Sequence, residues 1–369
     1  MQRSLCFARN GEGLAYNRLM PNTFLLYGSY GYTGSLIAEH AVREGLRPIL
    51  AGRDETRLRA QAERLSLDFR VIPLSDAAAL DDALRATGLV VHAAGPFVLT
   101  WRPMVEACLR TGAHYMDISG EIEEFEAIAP LDAQAKEKGI MLLPGAGFDV
   151  VPSDCLAAHM KQRLPSATHL KLFIRGVGGG VSRGTARSAI ENMQRGGRIR
   201  REGKIVSVPS AWRVEERDFG RGPVKLVSIG WGDVSTAYHS TGIPNIETYM
   251  HFPPAAINVL KLMRVIGPLL YNQPVKRLLQ SLLRFRPEGP SEAQRVSGFS
   301  PLLAEASDGA TVVQSKQRVA EGYQLTMLTA TAIAKRILAE DLKPGFQTPS
   351  RAYGADYILE FAGTTREDL

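Results

Sequence analysis

The stretch Thr23-Phe24-Leu25-Leu26-Tyr27-Gly28-Ser29-Tyr30-Gly31-Tyr32-Thr33-Gly34 decides how the rest of the chain is read. A short apolar run, fit for a buried strand, stops at Gly28. Three evenly spaced glycines then lead into a helical pattern with Leu36, Ile37, His40 and Ala41 on one face. Glycine in such a turn lets the backbone reverse sharply and lets a pyrophosphate approach with no Cβ in the way. The N–H groups that open the helix carry a partial positive charge. The pattern GxxGxxG is weak alone; it gains weight from lying between a strand and a helix. Gly28, Ser29, Tyr30, Gly31, Tyr32, Thr33 and Gly34 are therefore candidates to hold a dinucleotide.

Outward from this loop the pattern repeats. Strand-like runs at 47–51, 69–74, 89–93, 114–118 and 140–143 alternate with helical segments, the last of them over 121–138. Six strand-then-helix units with apolar strands predict an α/β fold, a Rossmann-type doubly wound parallel sheet. After Pro152 the pattern changes. A helix to Arg163, a strand at 170–174, a glycine-rich stretch at 176–180, a helix capped by Ser182 and short alternating segments over 199–249 predict an inserted second α+β domain. The expected division is a loose leader over 1–21, a nucleotide domain over 22–151, a substrate and dimerisation domain over 152–322, and a C-terminal helix and tail over 323–369 that return to the first domain.

Where the second strand ends, an NAD-selective site has an acid for the ribose 2′-hydroxyl. Here the strand runs into Gly52-Arg53-Asp54. A guanidinium at that place suits a 2′-phosphate, so NADP(H) is the expected cofactor through Arg53. Asp54 equally suits a helix cap. The fourth strand ends in Ala94-Gly95-Pro96-Phe97, small residues against which the cofactor can lie, with Phe97 shaping the pocket beyond. Ser119 follows the fifth strand and Gly147, Phe148 and Asp149 follow the sixth, on the side where such sheets bind ligands.

The composition narrows the class. A chain of 369 residues suggests two domains at roughly 100–200 residues each. Three scattered cysteines exclude a disulfide framework and a Cys-rich zinc site, and they suit a reducing, cytoplasmic setting. No metal is expected. No apolar run reaches the length of a spanning helix. Residues 1–150 hold 15 basic and 19 acidic residues, and the remainder 29 and 19, so the +6 charge sits on the second half. It is densest around Arg195, Arg198, Arg200, Arg201 and Lys204. No aromatic interleaving or known module accompanies it, so nucleic acid is not expected as a partner. An acidic carrier protein bearing the substrate fits better. Residues 255–286 are amphipathic and basic; peripheral membrane contact, a lid and a dimer contact all suit them, and a homodimer is the expected assembly.

No tyrosine has a lysine four residues later, and no P-loop occurs. The proton-transfer groups must be unfamiliar ones. Candidates are Asp149 and Asp117, then Asp154, Tyr115 and His239. Asp154 also suits the first turn of the helix begun by Pro152. His114 opens its strand, at the edge away from ligands.

With these residues in hand, the chain resembles the saccharopine dehydrogenase-like oxidoreductases, and within them the bacterial branch that includes trans-acting enoyl reductases. The resemblance rests on the glycine loop, Ala51 to Arg53, Ala94 to Phe97, Gly112 to Glu121, Pro144 to Asp154, Ser182 to Thr185 and Pro344 to Tyr357. It implies a Rossmann-type domain, NADPH, and reduction of a carbon–carbon double bond in an acyl or lipid-like, carrier-bound substrate. The alternatives are a saccharopine-type amino-acid dehydrogenase and a non-catalytic nucleotide-binding or lipid-associated protein. The resemblance supplies no catalytic residue.

Overall fold

The computed structural model describes residues 22–192, 196–253, 256–258, 260–262 and 273–369. The expected leader, Arg195 and the middle of 255–286 lie outside the described residues.

The first half alternates as its periodicity requires: β1 (Leu25–Tyr27), α1 (Tyr32–Arg43), β2 (Ile49–Gly52), α2 (Glu55–Leu65), β3 (Phe69–Val71), α3 (Ala77–Thr87), β4 (Leu89–His92), α4 (Phe97–Thr111), β5 (His114–Asp117), α5 (Ile122–Ile128), α6 (Asp132–Glu137) and β6 (Met141–Leu143). The strand order is β6-β5-β4-β1-β2-β3, all parallel, with the two-residue strand Gly345–Phe346 added beside β6. The order reverses between β1 and β4, which opens a crevice at their carboxyl ends. The single helix expected over 121–138 is corrected to two. Pro130 lacks the N–H that continues a helix, and a 3₁₀ turn (Ala129–Leu131) separates α5 from α6.

The second sheet contains β7 (His169–Ile174), β8 (Gly197–Arg201), β9 (Lys204–Val208), β10 (Val214–Asp218), β11 (Pro223–Ile229), β12 (Asn245–His251), β13 (Phe299–Ser307), β14 (Val312–Ala320) and the end strand Thr365–Asp368. Only β12 and β7 run parallel; the other pairs are antiparallel. Three helices cover it or join it to the first sheet: α7 (Val151–Arg163), α8 (Arg183–Asn192) and α9 (Asp233–Thr241). Strand-rich reading of 199–249 missed α9, whose DVSTAYHST is poor in strong helix formers; burial of Val234 and Ala237 holds it helical. The long helix Gly322–Leu338 lies on α1 and β4. The tail reaches the first sheet through Gly345–Phe346 and then leaves it, because Thr365–Asp368 pairs with β14.

One apolar core serves both sheets. Leu36 and Ile37 of α1, Leu156 and Met160 of α7, Leu172 of β7 and Leu325 and Ile333 of the long helix belong to the same cluster. Each such side chain contributes roughly 1.5–3 kcal/mol on burial, so the two sheets are joined by a core and not by a linker. Charge joins them as well. Arg200, 3% exposed, bonds Glu126 of α5 together with the carbonyls of Val234 and Gly203, and Ser235 donates to the same carboxylate. Burial alone would raise the Glu126 carboxyl, but bonds from His239 and Ser235 and the charge of Arg200 hold it at about 2. Arg198 stands 3.8 Å from Glu123. Part of the basic cluster therefore answers acids of the first half.

Candidate active site

The crevice between β1 and β4 is built first by the glycine loop. Gly28 has φ +82° and lies against the chain after β4: a Cβ there would come within 2.8 Å of Ala94. Gly34 is held tighter, since a Cβ would lie 2.3 Å from the Gly28 carbonyl oxygen. Glycine is obligatory at both positions for packing. α1 then begins at Gly31 with no side-chain cap and no acid in its first turn. α2 and α3, by contrast, are capped by Asp54 and Asp76, which accept from Arg57 and Ala79 N–H. The expectation of Asp54 as a cap holds. The open end of α1 leaves amide donors facing the crevice, an arrangement that fits a pyrophosphate. At the end of β2, Arg53 is exposed and pairs with nothing among the described residues, as a 2′-phosphate ligand requires. The residues present fit NADP(H).

The other loop residues divide. Tyr30 lies across Gly52 and under Arg57. Ser29 is buried, and its carbonyl oxygen accepts from Gln61. The Tyr32 side chain points to the second domain: it donates to the Pro290 carbonyl, accepts from Arg295 at 2.9 Å and meets Tyr323 edge-on at 5.1 Å. For Tyr32 and Thr33, the backbone opening α1 is what the crevice can use. Pro96 is buried, and Ala94 and Gly95 border the crevice.

The opposite wall starts at α4. Its first N–H groups, from Phe97 and Val98, donate to the two carboxylate oxygens of Glu121 at 3.0 and 2.8 Å. Ser188 of α8 donates to the same carboxylate at 3.2 Å, and lies 3.5 Å from where a Cβ on Gly95 would be. Ser182 caps α8, its N–H donates to the Tyr323 hydroxyl at 2.8 Å, and Thr185 shares that hydroxyl. The second domain thus roofs the crevice with α8, tied to both Glu121 and the long helix. Sequence reading placed Ser182 only as a cap and did not find Ser188 or Tyr323; the Ser182–Thr185 motif was the available signal.

Under this roof sits Asp149. It is half-buried, lies over Gly120, and no hydrogen bond reaches its carboxylate among the described residues. Burial, and then the negative charge of Glu121, push its pKa up to about 7. A carboxyl so poised exchanges a proton at neutral pH. Phe97 and Phe148 flank the region; Phe148 packs on Gly322, and its N–H donates to Thr326.

The other acid/base candidates are corrected to scaffold. Asp117 is fully buried and spent: one oxygen accepts from Ser119 and Gly145 N–H, the other from the Tyr115 hydroxyl. Tyr115 also reaches Glu124 at 3.1 Å. Ser119 is buried too, with its hydroxyl accepting the Glu121 N–H, and Gly147 is pressed against Thr326; neither lines the crevice. Asp154 accepts from Ser350 N–H inside the core. His239 packs on Phe346, beside Glu126. His114 accepts from Met141 N–H, at the far edge as expected.

Comparison with known proteins now adds the family. Residues 24–143 match the model of the saccharopine dehydrogenase NADP binding domain. The first domain is thus similar to the NADP-binding domain of saccharopine dehydrogenases. Its cofactor is accordingly NADP(H), in agreement with the fit above. A Mycobacterium tuberculosis protein provisionally named a trans-acting enoyl reductase is 34% identical over 180 residues, 45% of this chain and 43% of its own. The human saccharopine dehydrogenase-like oxidoreductase is 24% identical over 164 residues, 39% of this chain and 38% of its own. A Caenorhabditis elegans lipid droplet localized protein is 29% identical over 166 residues, 41% of this chain and 39% of its own. These matches span about two fifths of the relatives' length. Saccharopine dehydrogenase (L-Glu forming) from Saccharomyces cerevisiae superposes with TM-score 0.64 over 94% of this chain and all of that one, at 14% identity, so the two-domain fold is shared. Among the described residues no helix is long and apolar enough to cross a membrane, and no group of acids, histidines and cysteines suits a metal.

Proposed function

We propose that this chain is an NADPH-dependent reductase that saturates a carbon–carbon double bond in an acyl, lipid-like substrate, with Asp149 as the proton donor. The single observation that carries this is a carboxyl with no hydrogen-bond partner among the described residues, its pKa pushed up to about 7, on the ligand side of the sheet. NADPH, when bound, supplies the hydride. The chain's own residues do the rest. The open end of α1 and Arg53 hold the phosphates. Burial, and then the Glu121 charge, lets Asp149 hold a proton up to about pH 7, and Asp149 gives that proton to the carbon next to the acyl carbonyl. α8 covers the reaction from water.

The side chains adjoining Asp149, Phe97 and Phe148, are apolar, which favours an acyl chain over an amino-dicarboxylate. The mycobacterial relative's name agrees. The exposed Arg201 and Lys204 suit an acidic carrier that presents the substrate. The helix Gln273–Leu282 leaves Leu278 and Leu282 exposed, with Phe285 just beyond and Arg277 and Arg284 beside them. This face suits peripheral contact with an anionic lipid surface, from which an acyl substrate would come.

The test is NADPH oxidation with an enoyl thioester set against an oxo-acid plus an amine. Turnover of the thioester alone supports the proposal. Turnover of the oxo-acid and amine alone replaces it with an amino-acid dehydrogenase. Tight NADPH binding with no turnover of either points to a nucleotide-binding protein without chemistry.

A further inference from the structure

Arg57 was not singled out by the sequence, yet it stands beside the cofactor loop in a defined pose. Its guanidinium lies 4.8 Å above the Tyr30 ring and donates through Nη2 to the Tyr30 carbonyl oxygen at 2.9 Å. The same ring covers Gly52, the residue before Arg53. Tyr30 therefore places two arginines, 53 and 57, at the end of β2. The Arg57 Nε and Nη1 donors make no bond to the protein among the described residues.

Among the described residues its acidic neighbour across the domains is Glu288, 3.9 Å from Nη2, whose carboxylate stands equally 3.9 Å from Arg183 Nη1. Glu288 is held there by its own segment: Gly289 lies against the Tyr32 ring, the Pro290 carbonyl accepts from the Tyr32 hydroxyl, and the Glu288 carbonyl accepts from Arg183 N–H at 3.0 Å. Arg57 and Glu288 are 49% and 62% exposed, so their attraction is weak and screened. A 2′-phosphate brings more charge and three acceptor oxygens, and displaces a lone carboxylate from a guanidinium. A 2′-hydroxyl does not.

We infer that Arg57 is a second specificity-determining residue for the 2′-phosphate, and that Glu288 is its standing competitor, contributed by the second domain. The inference rests on the reading of Arg53 as a 2′-phosphate ligand. In the free protein Glu288 shares Arg57; when the phosphorylated dinucleotide binds, Arg57 leaves Glu288 for the phosphate. NAD(H) lacks the group that drives this exchange, so Glu288 keeps Arg57 and the nucleotide gains nothing from it.

The experiment is calorimetric titration of the full chain with NADP⁺ and with NAD⁺, in wild type, Arg53→Ala, Arg57→Ala, Arg57→Lys and Glu288→Gln, each checked for an unchanged thermal midpoint. Arg57→Ala is expected to weaken NADP⁺ binding about tenfold or more, as loss of a charge-assisted pair does, and to leave NAD⁺ within about twofold. Arg57→Lys restores part of the loss. Glu288→Gln is expected to tighten NADP⁺ binding about two- to threefold at low salt, a gain that fades as salt screens the pair. Equal weakening of both nucleotides by Arg57→Ala overturns the inference, because Arg57 then only holds Tyr30. An unchanged NADP⁺ affinity in Glu288→Gln overturns the competitor role. If Arg53→Ala alone abolishes the preference for NADP⁺, the Arg53 reading stands and this one fails. If Arg53→Ala changes neither nucleotide, the underlying reading fails.

Discussion

Helices α1 and α4 begin in corresponding places, at the carboxyl ends of the two neighbouring strands where the sheet order reverses, yet their first turns are finished in opposite ways. α1 has no cap and no acid, and its N–H groups are open. α4 has its first two N–H groups taken by the Glu121 carboxylate. A helix N-terminus attracts anions, so the open one is left for the phosphates of NADP(H), while the closed one has already received a protein carboxylate. On the proposed reading the two ends divide the labour: the α1 side binds NADP(H), and the α4 side, with the Glu121 carboxylate beside Asp149, helps set a proton. Had both ends been open, burial alone would hold the Asp149 proton, and less tightly.

The division can be broken first at Asp149. Asp149→Asn is expected to lower turnover by about 10²–10⁴-fold, the usual share of a proton donor, while NADPH affinity stays within about twofold by titration. Wild-type turnover should fall as pH rises through about 7, because the donor must be protonated. Parallel loss of affinity and turnover in the variant would merge the two sides into one.

Gly34→Ala is the reverse test. The new Cβ must move the Gly28 carbonyl, so nucleotide affinity should drop about a hundredfold, corresponding to roughly 3 kcal/mol of overpacking. An alanine variant that binds NADP⁺ normally would show that the loop has slack and that the close approach does not shape the site.

Glu121→Gln sharpens the α4 side. It keeps an acceptor for one N–H but removes the charge, so a loss of about 1–2 kcal/mol is expected in denaturant unfolding. The falling limb of the pH–rate profile should move to lower pH, since Asp149 loses the neighbour that holds its proton. A limb that stays in place would assign the titration to another group.

The smallest effect is thermal. Burial raises the Asp149 pKa above its unfolded value, so the folded state binds that proton more tightly. The resulting stability is present below the unfolded carboxylate range and is lost as pH rises toward 7. Asp149→Asn has no proton to lose. Its melting midpoint should match wild type near pH 4 and exceed it by about 2 °C at pH 8. A gap of the opposite sign would mean that the charged form is the one stabilised.

Much was legible without coordinates. The alternation of apolar runs with 3.6-residue periodicity gives the doubly wound sheet, since both signals are local and summed over many residues. Spacing alone placed Gly28, Gly31 and Gly34 between a strand and a helix. Asp149 was visible as an acid after a strand, but so was Asp117. What separates them is long-range: Asp117 meets Gly145, Ser119 and Tyr115, which exhaust its oxygens, whereas Asp149 meets Gly120 and a distant charge. The basic second half was visible as charge, and its pairing with Glu126 and Glu123 was not, because those partners lie more than seventy residues away along the chain.

The sequence by itself determined the nucleotide domain and the preference for NADP(H), because turns, strand ends and helix starts are written in neighbouring residues. Only the tertiary structure decided which acids have their oxygens occupied, which arginines lie at the end of β2, and that α8 covers the crevice. Those depend on burial and on partners from other elements, and desolvation is a property of the surroundings that no residue carries in its own sequence position.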